Sequence, residues 1–144
     1  MSFPEPRPGL VIRYSYLWRS EALRGKEEGR KDRPCLVVVA ISRGASGTKV
    51  FVAPITHSNP GSDPTIELPS ATKRRLQLDD DRSWIITSEV NAFIWPGPDV
   101  RFIERDRPDR GIAYGYLPGN LTEAVLSAIR SRLNAGIVKP VDRG

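Results

Sequence analysis

Short apolar runs separated by charged or glycine-rich turns dominate the chain, a pattern typical of β-rich proteins. Residues 33–42 read RPCLVVVAIS, a continuous apolar run that predicts a central strand buried on both faces. A glycine-containing turn, RGASG, separates this run from TKVFVAPIT at residues 48–56. The two runs therefore predict an antiparallel hairpin.

Four further segments are rich in the β-branched and aromatic residues that favour strands. They are residues 10–18, 65–68, 83–95 and 99–105. Since Pro64 breaks the chain directly before it, the second of these segments is predicted to be an edge strand.

One helix is well marked near the C-terminus. Four apolar residues at four-residue spacing predict its buried stripe: Leu121, Val125, Ile129 and Leu133. Asn120 is the predicted N-cap, Glu123 stands at the capping-box position, and Gly136 follows the last turn.

Two polar segments complete the pattern. Residues 19–32 are dense in charge and predict a mobile surface loop with one helical turn. Residues 69–81 predict a short, weak helix, because a basic start and an acidic end oppose the helix dipole. The whole pattern predicts a small, partly open β-barrel or sandwich of five or six strands with one packed helix.

Composition supports a single folded domain over residues 1–144, with a core at about 8–135 and short flexible termini. A net charge of +5 favours a polyanionic partner, with nucleic acid as the first choice and simple solubility as the alternative. The N-terminus lacks an apolar leader and no stretch reaches transmembrane length, so we expect a cytoplasmic protein.

The single cysteine, Cys35, excludes an internal disulfide and lies in an apolar run, which indicates a buried structural thiol. With one histidine and one cysteine in the chain, a Cys/His zinc site is not expected.

Polar residues gather at the predicted open end of the central hairpin. Antiparallel pairing sets Arg33, at the start of one strand, beside Thr56, at the end of the other. His57 follows directly. An arginine fork suits a phosphate, although a surface ion pair with Asp32 is the alternative. The Thr56 hydroxyl has the alternative of a hydrogen bond within its own turn.

These residue types match the needs of RNA cleavage by the ribose 2′-OH. Arginine stabilises the extra phosphoryl charge, a threonine hydroxyl holds a phosphoryl oxygen, and a histidine carries protons. Glu89, in the run ITSEVN, is a further acid–base candidate.

The segments RPCLVVV, VAPIT and IITSEV together resemble the MazF/PemK family of type II toxin–antitoxin systems. The resemblance extends from about Pro8 to Ala135. It implies an SH3-like β-barrel, mainly β within the α+β class, with five to seven mostly antiparallel strands and a C-terminal helix. Thr87 or Ser88 stands where some members carry a second arginine.

The resemblance also implies an activity, namely metal-independent cleavage of single-stranded RNA to 2′,3′-cyclic phosphate and 5′-hydroxyl ends, without a cofactor. Arg33, Thr56 and Glu89 take the catalytic positions, and His57 is an additional proton carrier. Five residues are predicted to bind RNA: Trp18, Arg30, Lys31, Ser58 and Asn59. The implied partners are a second copy of the chain, as a homodimer, and an antitoxin with an acidic tail.

Two other functions stay open. The same barrel occurs in non-catalytic binding modules, such as gyrase-inhibiting toxins or nucleic-acid binders, for which the basic surface would matter and Thr56 would not. A small hydrolase using Ser58 or Cys35 with His57 is the third hypothesis, and it lacks both a nucleophile elbow and a third orienting group.

Overall fold

A computed structural model describes residues 3–25, 31–138 and 140–144 of the chain. The strands are β1 (Leu10–Tyr14), β2 (Arg33–Ser42), β3 (Thr48–Thr56), β4 (Thr65–Glu67), β5 (Trp84–Ile86), β6 (Asn91–Ile94), β7 (Ala113–Tyr116) and β8 (Val141–Asp142). The helices are α1 (Arg19–Leu23), α2 (Ser70–Arg75) and α3 (Gly119–Asn134).

The central hairpin forms where the apolar pattern predicts it. β2 and β3 pair antiparallel from Cys35 opposite Pro54 to Ser42 opposite Thr48, with one bulge. A 3-10 turn at Gly44–Ser46 joins them. The predicted hairpin and both of its strand ranges are confirmed.

The described strands form one sheet in the order β4-β5-β3-β2-β1-β7, with β6 added to β3 and β8 added to β6. Every pairing except the short β6–β8 contact is antiparallel. The fold class is confirmed as mainly β with a C-terminal helix, a small barrel-like α+β fold. β4 lies at the edge, as predicted.

Both faces of the sheet are buried, and β2 shows why its sequence is continuously apolar. Leu36 and Val38 belong to a first apolar layer that also contains Val125 and Ile129 of α3. Cys35 and Val37 belong to a second layer on the opposite face. Because successive side chains alternate between the faces, only a continuous apolar run can fill both layers.

The single strand predicted over residues 83–95 is wrong, because the structure divides it into β5 and β6. Thr56 pairs with Trp84, and Val52 pairs with Asn91. Between these two pairs β3 advances by four residues, whereas the partner segment advances by seven. Pro54 lies between the two paired parts of β3 and has no N–H to donate to a ladder. Residues 87–90 therefore leave the sheet.

The strand predicted over residues 99–105 is also wrong. Only Val100 forms a bridge, to Tyr14, and the remainder is a loop. Most of the free edge of β1 is taken by β7, which the sequence pattern did not reveal. β8 was likewise not predicted.

Helix α3 forms with the predicted stripe, and Gly136 adopts a positive φ of 72° beyond its end. The predicted cap is wrong, because Pro118 holds the N-cap position and no side chain caps the helix there. Helix α2 ends at Arg75, before the acidic residues. Its basic residues therefore lie in the last turn, where they suit the helix dipole, and the predicted conflict does not arise.

Helix α1 is the helical turn predicted in the charged segment, of which residues 26–30 lie outside the described part. No helix within the described ranges is long and apolar enough to cross a membrane.

A buried amide fixes the chain that runs from β1 toward α1. The Asn91 amide donates to the Leu17 carbonyl at 2.7 Å and accepts from the Leu17 N–H at 2.9 Å. Its oxygen also accepts from Arg143, which in turn donates to the Ser15 carbonyl at 2.8 Å. Arg143 further forms a 3.0 Å ion pair with Asp99. This network determines where the side chains of residues 15–18 lie.

We expect Asn91→Ala to lower the free energy of unfolding by about 2–3 kcal/mol, because both Leu17 backbone groups and one Arg143 donor lose their buried partner. Asn120→Ala is the matched control and should cost less than about 0.5 kcal/mol, since Asn120 is exposed and caps nothing. Urea unfolding monitored by tryptophan fluorescence measures both. Equal losses in the two variants would contradict the assigned role of Asn91.

Candidate active site

The open end of the central hairpin carries Arg33 and Thr56. The β2–β3 ladder ends with Cys35 opposite Pro54, and the same register continued by two residues sets Arg33 opposite Thr56. Directly opposite residues share a face of the sheet. The fold therefore places the two predicted catalytic residues on one face, that of the second apolar layer.

Arg33 is half-buried and incompletely satisfied. Its guanidinium carbon lies 5.0 Å from the centroid of the Trp18 ring, a cation–π contact. Its Nε is buried and has no hydrogen-bond partner among the described residues. Burial lowers the pKa of Arg33 below its ordinary value, which marks a desolvated cation that an incoming anion would stabilise.

Thr56 is only 7% exposed, and its hydroxyl oxygen accepts a 3.1 Å hydrogen bond from the Ser58 N–H. This is the turn contact that was the alternative explanation for Thr56. The contact uses the oxygen as an acceptor and leaves the hydroxyl proton available to donate to a ligand.

Glu89 is linked to Arg33 by a chain of contacts through two aromatic residues. Its Oε1 accepts hydrogen bonds of 3.0 Å from the Tyr16 hydroxyl and the Arg19 N–H. The Tyr16 ring packs edge-on against Trp18 at 5.3 Å, and Trp18 covers Arg33. Trp18, predicted to bind RNA, thus connects the acidic and basic candidates.

Burial raises the pKa of Glu89 above its ordinary value of 4.5, although the hydrogen bonds from Arg19 and Tyr16 oppose the shift. A carboxyl group with a raised pKa can gain and lose a proton closer to neutral pH than an exposed one can.

Glu21 is a residue of this region that the sequence pattern did not single out. It is 4% exposed on α1, and its carboxylate accepts from the Trp18 N–H at 3.2 Å. Its charge also acts on Arg33. Glu21 stands three residues after Trp18, the N-cap position, which is the spacing of a capping box. This spacing could have singled out Glu21, but tryptophan is not a residue type that usually caps helices.

The remaining candidates lie in the loop that follows Thr56. His57 lines the same cleft as Ile55, two residues before it. Its Nδ1 is 4.0 Å from Asp81 Oδ2. Ser58 contributes its backbone N–H to the Thr56 turn, and Asn59 accepts from the Gly61 N–H at 2.9 Å. All three of these candidates are exposed.

A cleft of about 370 Å³, here called the main cleft, opens beside Arg33. Exposed Lys31 and His57 line its rim, and Ile55 contributes to its apolar wall. The main cleft thus brings together Arg33, Lys31 and His57. Arg30 lies outside the described residues.

Two further positions bear on the alternatives. Cys35 is fully buried, and burial raises its thiol pKa, so it packs as the structural thiol expected and is inaccessible as a nucleophile. Thr87, in the segment that follows β5, accepts a 3.1 Å hydrogen bond from Arg132 of α3.

A scan against models of protein families and a search of curated proteins both found no match for this chain.

The raised pKa of Glu89 predicts a pH dependence of stability. A protonated Glu89 favours the folded state, so this contribution is complete below about pH 4.5 and is lost as the pH rises through the native pKa. Relative to wild type, Glu89→Gln should therefore become more stable as the pH rises above 4.5. Urea unfolding across a pH series measures the difference.

Glu67→Gln is the matched control with the opposite sign. A hydrogen bond from Arg82 lowers the pKa of Glu67, so its contribution is present above the ordinary pKa and is lost as the pH falls. This variant should lose stability relative to wild type as the pH rises. Parallel curves for both variants would contradict the assignment to Glu89.

Proposed function

We propose that this protein is a metal-independent endoribonuclease that cleaves single-stranded RNA, as the toxin of a type II toxin–antitoxin system. The observation that carries the proposal is the desolvated guanidinium of Arg33, held under Trp18 on the face it shares with Thr56. A basic chain of net charge +5 is suited to a polyanionic substrate.

The proposed reaction is an internal transesterification. The ribose 2′-oxygen attacks the adjacent phosphorus, a 2′-O–P bond forms, and the bond from phosphorus to the 5′-oxygen breaks. The 2′-hydroxyl proton passes to a base, and the departing 5′-oxygen takes up a proton. The products are a 2′,3′-cyclic phosphate and a 5′-hydroxyl.

Each candidate side chain has a role that fits its surroundings. Arg33 stabilises the charge that develops on the phosphoryl oxygens, and its low solvation strengthens that interaction. Thr56 donates its hydroxyl proton to a phosphoryl oxygen. Glu89, in its carboxylate form, accepts the 2′-hydroxyl proton, for which its raised pKa is favourable. His57, at the rim of the main cleft, is the additional proton carrier.

The proposal includes the partners that the resemblance implies. These are a homodimer and an antitoxin whose acidic tail competes with RNA for the basic surface, and the site of action is the cytoplasm. Trp18, Lys31, Ser58 and Asn59 contact the RNA strand, together with Arg30.

Substitution of Arg33 by alanine should lower the rate of RNA cleavage by at least about 100-fold, since it removes the main stabiliser of the transition-state charge. Arg82→Ala is a matched control, because Arg82 also lies over a tryptophan, 5.1 Å from the centroid of the Trp84 ring, but is exposed and paired with Glu67. Cleavage of a mixed RNA pool in EDTA, with mapping of the end groups, measures both.

Three outcomes would contradict the proposal. They are cleavage that yields 3′-hydroxyl ends, cleavage abolished by EDTA, and full activity in Arg33→Ala. Binding of RNA, DNA or gyrase with no cleavage of any RNA would favour the non-catalytic binding module instead.

Thr56 can be tested with a pair of substitutions. Thr56→Ser keeps both the donor proton and the acceptor for the Ser58 N–H, so it should retain cleavage within about tenfold. Thr56→Ala removes the donor and should lower the rate by roughly 100-fold. Single-turnover rates at saturating protein separate this effect from RNA binding. Equal rates for the two variants would exclude a role for the hydroxyl.

A further inference from the structure

A second, smaller cleft adjoins the main cleft and plays no part in the proposed chemistry. This side cleft has a volume of about 160 Å³ and is lined by Arg13, Asp32, Arg101, Phe102, Ile103 and Arg105. Arg13 and Asp32 also line the main cleft, so the two clefts share one wall. Arg33 lines the main cleft and is not among the residues that line the side cleft.

Positive charge in the side cleft exceeds the negative charge that faces it. Its three arginines face one carboxylate, Asp32, which lies 3.9 Å from Arg13 Nε and 3.7 Å from Arg101 Nε. These contacts are too long for strong hydrogen bonds. The neighbouring carboxylate of Glu104 forms an ion pair with Arg110, at 3.4 Å. An anion of greater charge density than Asp32 would therefore bind the arginines better.

An aromatic ring accompanies these cations. Phe102 lies between Arg101 and the side-cleft residue Ile103 in the chain and is 37% exposed, although large apolar side chains are usually buried. Exposed aromatic rings next to arginines are the arrangement that binds single-stranded nucleic acids, with bases stacked on the ring and phosphates on the cations.

Backbone contacts hold this loop in place. The Arg101 N–H donates to the Arg13 carbonyl at 2.9 Å, and the Ile103 N–H donates to the Gly111 carbonyl at 3.0 Å. Val100 forms its bridge with Tyr14 of β1. The ring and the guanidiniums therefore start from a fixed backbone, which lowers the entropy cost of binding.

We propose that the side cleft is a second subsite for single-stranded RNA, in which Phe102 stacks on a base and Arg13, Arg101 and Arg105 bind the adjoining phosphates. The RNA strand continues from there through the main cleft to Arg33. This subsite rests on the proposed function for the identity of its ligand, and it adds binding determinants outside the catalytic residues.

An acidic peptide is the other polyanion that could occupy three arginines. RNA is favoured because the side cleft also exposes an aromatic ring, and carboxylate side chains have no planar group that would stack on it. The planar arginine forks also suit phosphate oxygens bound two at a time.

The test measures binding without chemistry. A fluorescent 2′-O-methyl oligonucleotide of random sequence and about 12 nucleotides lacks the attacking hydroxyl and covers more than one subsite. Phe102→Ala should weaken its binding by roughly 5- to 150-fold in fluorescence anisotropy. Arg101→Gln and Arg105→Gln should each reduce the slope of log affinity against log salt by about 0.7.

Matched controls come from exposed residues outside the side cleft. Phe3→Ala removes another exposed ring, and Arg107→Gln removes a neighbouring exposed arginine that is paired with Asp109. Both should leave the affinity and the salt slope unchanged. Equal losses in the controls, or an unchanged affinity in Phe102→Ala, would overturn the subsite.

The outcomes also separate the subsite from the proposed function. If no RNA is cleaved but oligonucleotide binding depends on Phe102 and Arg101, the nuclease proposal fails and the subsite stands. If RNA is cleaved but Phe102→Ala binds and cleaves like wild type, the subsite fails and the nuclease proposal stands. If the substitutions weaken only the binding of a labelled oligoglutamate peptide, the ligand is an acidic peptide and the RNA subsite is rejected.

Discussion

The antiparallel pairing of β2 with β3 is the constraint on which the rest of this structure depends. Its last pair sets Cys35 opposite Pro54, two residues from Arg33 and Thr56, and its alternation sends successive side chains of β2 into two apolar layers. Pro54 interrupts the ladder on the far side of β3, so the following segment divides into β5 and β6. Residues 87–90 thereby leave the sheet, and Glu89 is free to turn toward Tyr16.

A buried polar network supplies the other half of the candidate site. Asn91 and Arg143 satisfy the backbone of residues 15–17, which leaves the sheet after β1. Because unsatisfied polar groups are costly inside a protein, this network permits few alternative paths for the chain. Trp18 and Tyr16 are held in consequence, and they connect Arg33 to Glu89 by ring contacts and a hydrogen bond. The site is thus supported from two sides by elements far apart in the sequence.

Electrostatics at the hairpin end are unbalanced in a way that suits an anionic ligand. Burial lowers the pKa of Arg33 and raises that of Glu89, so each group is less stable in its charged form than it would be in water. A phosphate beside Arg33 would restore the solvation that the guanidinium lacks. The side cleft extends the same positive surface, with Arg101 and Arg105 beside an exposed ring. Two neighbouring clefts of the described structure therefore carry arginine side chains in their walls.

The sequence by itself determined the elements whose signals are local. The continuous apolar run of β2, the glycine-containing turn and the stripe of α3 were each predictable, because burial on two faces or on one stripe leaves a direct pattern in the residues. The prediction that Arg33 and Thr56 are neighbours rests on antiparallel geometry alone. What only the tertiary structure decided were the features that depend on partners distant in the chain. The division at Pro54, the loop at 99–105, the burial of Glu21 and the hydrogen bonds of Glu89 are of this kind. These features arise because several segments compete to pair with one strand edge, or several acceptors compete for one buried donor. The order of residues along the chain does not show which of them succeeds.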